Sequence, residues 1–150
     1  MKKNLNITFF GDSICVGQGI SIFNGWVNFI SKNFHEKKNK FQNYNVIVSN
    51  SSVNGRTTRQ ALIDMPYAIQ SQNIDILIIQ YGLNDCNYWD TDNGLPRVSL
   101  DSFKSNIEEI INRALASNIK KIFLNNNHPT NTKKIFTNGI SYEETNYKYS

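Results

Sequence analysis

A chain of 150 residues falls in the size range of one domain and can bury a hydrophobic core without disulfide or metal staples. With 39% hydrophobic and 19% charged residues, it fits neither a disordered chain nor a membrane-embedded one. The formal charge of +4 is spread over pairs such as Lys37 and Lys38 or Lys120 and Lys121; with no basic stripe to track phosphates, nucleic acid is not an expected partner.

The apolar run after Lys3 is too short for a secretory leader and has no small-residue cleavage site, and no stretch approaches a membrane span. A soluble, cytoplasmic protein is therefore expected. Cys15 and Cys86 fit no zinc or CxxC spacing and are expected as free thiols.

Residues 5–10 have strand composition and stop at Gly11, where the backbone can turn sharply. Phe23, Trp26, Val27, Ile30 and Phe34 recur at three- and four-residue spacing and predict one helix. Residues 44–48 read as a second strand. Beyond Gly55, Ala61, Leu62, Met65 and Ile69 return to helical spacing, with Pro66 expected to kink or end a turn. Residues 74–79 are almost continuously aliphatic and predict a central parallel strand, the most buried of the sheet.

A long polar and aromatic segment, 82–98, is of the length that compact domains use for function. Ser99 then caps a predicted helix carrying Phe103, Ile107, Ile110, Ile111, Ala114 and Leu115, and residues 121–124 give a fourth strand. Strand and helix alternate throughout a single domain, 1–150. The expected class is α/β, a three-layer α/β/α sandwich with parallel strands joined by right-handed crossovers.

Such sheets bind ligands beyond the carboxyl ends of their strands. Three strand-end loops carry unusual residues: Gly11-Asp12-Ser13, Asn54-Gly55-Arg56 and Gly82-Leu83-Asn84-Asp85. In this order they resemble the SGNH hydrolases, or GDSL-type esterases, from the first strand onward. The resemblance implies a flavodoxin-like parallel sheet and an enzyme that hydrolyses carboxylic esters of small acylated metabolites or O-acetylated sugars through an acyl-serine. It implies Ser13 as nucleophile and an oxyanion hole made by the Ser13 and Gly55 N–H groups and the Asn84 amide.

These assignments suit the chemistry, because preorganised donors stabilise the charge that develops on the carbonyl oxygen. Each residue also has a plainer reading: Ser13 as a cap, Gly55 as a turn glycine, Asn84 as a turn former. Asp12 is read as structural, bonding backbone amides of the nucleophile turn.

Serine needs a base, and here the chain departs from the family, since no aspartate is followed three residues later by histidine. His35 lies at the polar end of the first helix and reads as surface. His128 follows the fourth strand and is a candidate for the pocket or the base. The expectation is a fold lacking its last strand and helix, ending near a capping-box pair, Ser141 and Glu144, and a poor catalyst alone. Its fourth strand is then an edge open to self-association.

Tyr88 and Trp89 are read either as pocket walls or as a lid over the core, and Arg56 and Arg59 either as partners of an acidic substrate group or as exposed turn residues. Cys15 and Cys86, near two of these loops, are expected as packing residues. No metal site, cofactor fingerprint or membrane partner is expected. Two other classes remain open at this point: a non-catalytic carbohydrate- or ligand-binding domain on a degenerate hydrolase scaffold, and a flavin domain, which the lack of a hydroxyl-rich cradle after the first strand disfavours.

Overall fold

The computed structural model describes residues 2–36, 41–89 and 92–127. Its sheet has four parallel strands in the order β2-β1-β3-β4, with β1 Lys3–Gly11, β2 Tyr44–Asn50, β3 Ile76–Gln80 and β4 Lys121–Leu124. The expected α/β sandwich with a flavodoxin-like strand order is what forms. All four predicted strands appear, within two residues or so at each end.

Alternation along β1 builds the layers. Ile7 and Phe9 join Cys15, Val27 and Val46 in one core, between the sheet and helices α1 (Ser13–Val16) and α2 (Trp26–Glu36). Phe10 points the other way, into a second core with Leu77, Ile79, Met65 and Ile110. That core lies under α3 (Thr58–Met65) and α5 (Leu100–Ala116). Between β3 and α5 the chain forms one further short helix, α4 (Leu83–Cys86).

The chain leaves β1 toward β2 and returns to β3 on the opposite side, so the sheet's switch point lies between β1 and β3. The loops after these two strands flank the resulting crevice. Gly11 closes β1 where a Cβ would stand 2.7 Å from both the Cys15 sulfur and the Gln80 carbonyl oxygen. Only glycine fits there without moving the neighbouring strand.

Two expectations are corrected and one is refined. Phe23 is not on the first helical stripe: it belongs to a separate 3-10 turn, Ile22–Asn24, and is 77% exposed. α3 ends at Met65, before Pro66, as expected, but the chain then continues in a π-helical turn over Pro66–Gln70, closed by Ser71 N–H donating to the Pro66 carbonyl at 3.0 Å. A wider turn accommodates a ring that cannot donate to the preceding turn. Third, the most continuously buried strand is β1, whose last five residues are all buried; Ile76 and Ile78 of β3 are half-buried. Ser99 caps α5 as expected, accepting from Ser102 N–H at 3.3 Å. Residues 128–150, with His128, Ser141 and Glu144, lie outside the described residues.

Asp75 gathers three strands at the amino end of β3. One carboxylate oxygen accepts Asn6 N–H of β1 at 2.9 Å, the other pairs with Lys120, and its carbonyl accepts Lys120 and Lys121 N–H at the start of β4. The Asn6 N–H, then Lys120, hold its pKa below the usual carboxylate value. A depressed folded-state pKa gives stability that is present above the unfolded pKa and lost as pH falls through the folded one. Asp75→Asn is expected to lower stability at neutral pH by about 1–3 kcal/mol. In urea melts, its deficit relative to the unmodified chain should shrink below about pH 4.

Candidate active site

The Gly11-Asp12-Ser13 turn is built from the end of β1. Asp12 is fully buried and caps α1, its Oδ1 accepting Ile14 N–H at 2.9 Å. Ser13 opens that helix, is half-buried, and its carbonyl accepts Gly17 and Gln18 N–H at 2.9 and 3.0 Å. Two outside donors brace the turn: Trp26 Nε1 to the Ile14 carbonyl and Asn50 Nδ2 to the Cys15 carbonyl, each at 2.9 Å.

The second loop continues the β1 pairing past the end of β2. Ser51 N–H donates to the Phe9 carbonyl at 2.8 Å and Val53 N–H to the Gly11 carbonyl at 3.1 Å. Gly55 follows with φ +73, a left-handed conformation that side chains rarely adopt, and no atom crowds the place of a Cβ. Its conformation, rather than lack of space, selects glycine. The Gly55 carbonyl is held by Arg97 Nη1 at 3.1 Å.

The third loop enters α4. Asn84, half-buried, donates from Nδ2 to the Arg56 carbonyl at 3.2 Å, and its amide sits beside the Asp12 carboxyl. Asp85, fully buried, accepts Thr58 N–H at 3.0 Å and the Thr58 hydroxyl at 2.5 Å at the start of α3. Asn106 of α5 donates to the same hydroxyl at 2.9 Å. Thus the loops after β1, β2 and β3 are bonded to one another, as expected from their order.

Two buried acids mark this edge. Burial raises the pKa of Asp12, and the charge of Asp85 adds to the rise, while Ile14 N–H and the Asn84 amide partly offset it. Its Oδ2 has no aligned hydrogen-bond partner among the described residues. Asp85 is raised by burial too, against the opposing bonds from Thr58 and the charge of Arg97. Burial likewise pushes the Tyr81 phenol up, the Cys15 thiol up to about 12 and the Cys86 thiol up to about 11. Both cysteines are free and buried, so packing describes them.

Arg56 is neither of the things expected of it. It is 6% exposed: Nη1 donates to the Ser51 carbonyl at 2.8 Å and the Tyr81 hydroxyl at 3.3 Å, Nη2 pairs with Asp64 at 3.1 Å, and the guanidinium lies over the Phe10 ring. It is an internal brace. Arg59 is exposed. Trp89, 62% exposed, is no lid over the core; its ring faces the Arg97 guanidinium at 5.5 Å. With Arg59, Gln60, Leu95 and Arg97 it lines a cleft of about 510 Å³ beside the Gly55 turn. Tyr88 is half-buried in the same segment.

His35 is exposed in the last turn of α2, as expected. Trp26 at the other end donates to the Ile14 carbonyl of the Ser13 turn, so nine residues put His35 about 13 Å along the helix from that contact. Two residues of consequence, Asp85 as an anchor and Arg97 as the tie to Gly55, escape sequence reading. Asp85 stood within the quoted loop motif, but only the fold brings Thr58 to it.

A family model for GDSL-like lipases/acylhydrolases matches residues 9–147. The chain belongs to that family. A search of curated proteins finds no match. Among solved structures, the chain is similar to TesA, with 22% identity and a TM-score of 0.65 over 79% of this chain and 58% of that one. It is similar to the acetyl xylan esterase AlAXEase, with 21% identity and a TM-score of 0.64 over 80% and 57%. A variant of Axe2, an acetyl xylan esterase from Geobacillus stearothermophilus, gives 19% identity and a TM-score of 0.66 over 83% and 60%. At these identities the likeness establishes the shared fold. The chain spans less than two thirds of the length of each of these structures.

The raised pKa of Asp12 fixes a sign. An acid whose folded pKa lies above its unfolded value favours folding at low pH, and that contribution is lost as pH rises through the folded pKa. Asp12→Asn keeps an acceptor for Ile14 N–H and removes the charge. Its stability relative to the unmodified chain is expected to improve as pH rises above the ordinary value of 3.8, read by thermal melts across that range.

Proposed function

We propose that this GDSL-family chain carries the nucleophile and oxyanion side of a carboxylic-ester hydrolase. Ser13 Oγ attacks the ester carbonyl, its proton passes to a histidine base, and the alcohol leaves to give an acyl-Ser13 that water then hydrolyses. The Ser13 and Gly55 N–H groups and the Asn84 amide hold the oxyanion. The observation that supports this reading is a pair of hydrogen bonds, Val53 N–H to the Gly11 carbonyl and the Asn84 amide to the Arg56 carbonyl, which tie the loops after β1, β2 and β3 together.

The base is assigned outside the described residues, and the 150-residue chain by itself is proposed to be a poor catalyst, since no Asp-x-x-His occurs in it. The proposed substrate is a small acylated metabolite, with an O-acetylated sugar favoured by the cleft that Trp89 and Leu95 line and by the acetyl xylan esterases among its structural relatives. Two buried thiols fit a reducing, cytoplasmic setting. Among the described residues, no helix is long and apolar enough to cross a membrane.

The missing Asp-x-x-His motif favours a second reading, a ligand-binding domain without catalysis. A fluorophosphonate probe separates the two when applied to the chain and to a form extended at its C-terminus with the Asp-x-x-His segment of a GDSL-family relative. Labelling of the extended form, abolished by Ser13→Ala, is expected; absence of labelling in both forms supports binding alone. In the active form, Asn84→Ala should lower kcat about 10²–10³-fold, about 2.7–4 kcal/mol, with KM little changed.

A further inference from the structure

An inner strand of a parallel sheet is normally apolar on both faces. β1 is such a strand, yet on the face opposite Ile7 and Phe9 it carries Asn4, Asn6 and Thr8 in succession. The polar row continues onto β2 on either side of Ile47: Asn45 Nδ2 donates to Asn4 Oδ1 at 3.1 Å, and Thr8 stands in register with Ser49. No side chain of Asn6, Thr8, Ser49 or Ser51 has a hydrogen-bond partner among the described residues.

These groups line a groove of about 520 Å³ whose other wall is the π-helical turn and the residues after it, with Tyr67, Gln72 and Asn73. Tyr67 is 84% exposed. Asn6 and Thr8 of this inner strand are lodged here without side-chain partners among the described residues, beside a helical distortion of a kind frequent at functional sites.

We propose that this groove is a binding site for a neutral carbohydrate, separate from the Ser13 crevice. None of its lining residues is charged, which disfavours phosphates, carboxylates and cations as ligands. The amides and hydroxyls that line it both donate and accept, matching the paired donor and acceptor character of sugar hydroxyls. Tyr67 offers a ring face for the C–H side of a sugar. The volume lies within the range of small-molecule sites.

The test is a titration of the 150-residue chain with xylohexaose, cellohexaose and maltohexaose, and with a galacturonate hexamer as the charged arm, followed by nuclear magnetic resonance. Saturable shifts of the Asn6 and Asn73 side-chain amides with a neutral oligosaccharide are expected. Tyr67→Ala should weaken that binding about tenfold. Ser13→Ala should leave it unchanged, which separates this site from the hydrolase reading. The double variant Asn6→Leu, Thr8→Val should abolish binding while the melting temperature stays level or rises. If that variant fails to fold, Tyr67→Ala decides alone.

The proposal is overturned by the absence of saturable shifts with every neutral sugar up to about 10 mM. Preference for the charged hexamer, or binding indifferent to Tyr67→Ala, overturns it equally.

Discussion

The contact on which the crevice depends is the carboxylate of Asp85 at the first turn of α3. Through Thr58 N–H and the Thr58 hydroxyl, it fastens the loop after β3 to the helix that follows the Gly55 turn. With that distance set, Asn84 reaches the Arg56 carbonyl on one side and the Asp12 carboxyl on the other. Arg97 closes the circuit from the 87–98 segment to the Gly55 carbonyl. Loops after three different strands thereby share a rigid frame, and preorganisation of this kind is what stabilisation of a developing oxyanion requires.

The frame is built against an electrostatic cost. Two carboxyl groups are buried within reach of each other, and one oxygen of Asp12 is left without an aligned partner among the described residues. The charge of Arg97 offsets part of that cost at Asp85, while the buried guanidinium of Arg56 is spread over a carbonyl, a phenol and a half-exposed carboxylate. A lysine could not replace it, because one ammonium cannot span acceptors set out for a planar fork.

Much of this was legible in the chain. β4 and the Ser99 cap follow directly from composition and spacing, because aliphatic runs and cap residues act locally. The strand-end loops were found because a parallel sheet sends them all to one edge. What the chain hides is longer-ranged. Arg56 looks like a surface arginine until Phe10, Tyr81 and Asp64 close around it. Phe23 has helical spacing, yet the 3-10 turn before α2 takes it off the stripe. Pro66 reads as a kink or the end of a turn and does close α3, but the π-turn that follows it is invisible to a 3.6-residue period.

β1 ends as the strand with the most to lose from a pairing error. Its Leu5, Ile7 and Phe9 face one core, while Asn4, Asn6 and Thr8 line a polar groove. Sliding it by a single position would exchange the two faces, setting amides against the apolar layer under α1 and α2, and would also shift Asp12 and Ser13 relative to the loops after β2 and β3. The alternation that seats β1 between its layers therefore also decides where the Gly11-Asp12-Ser13 turn emerges.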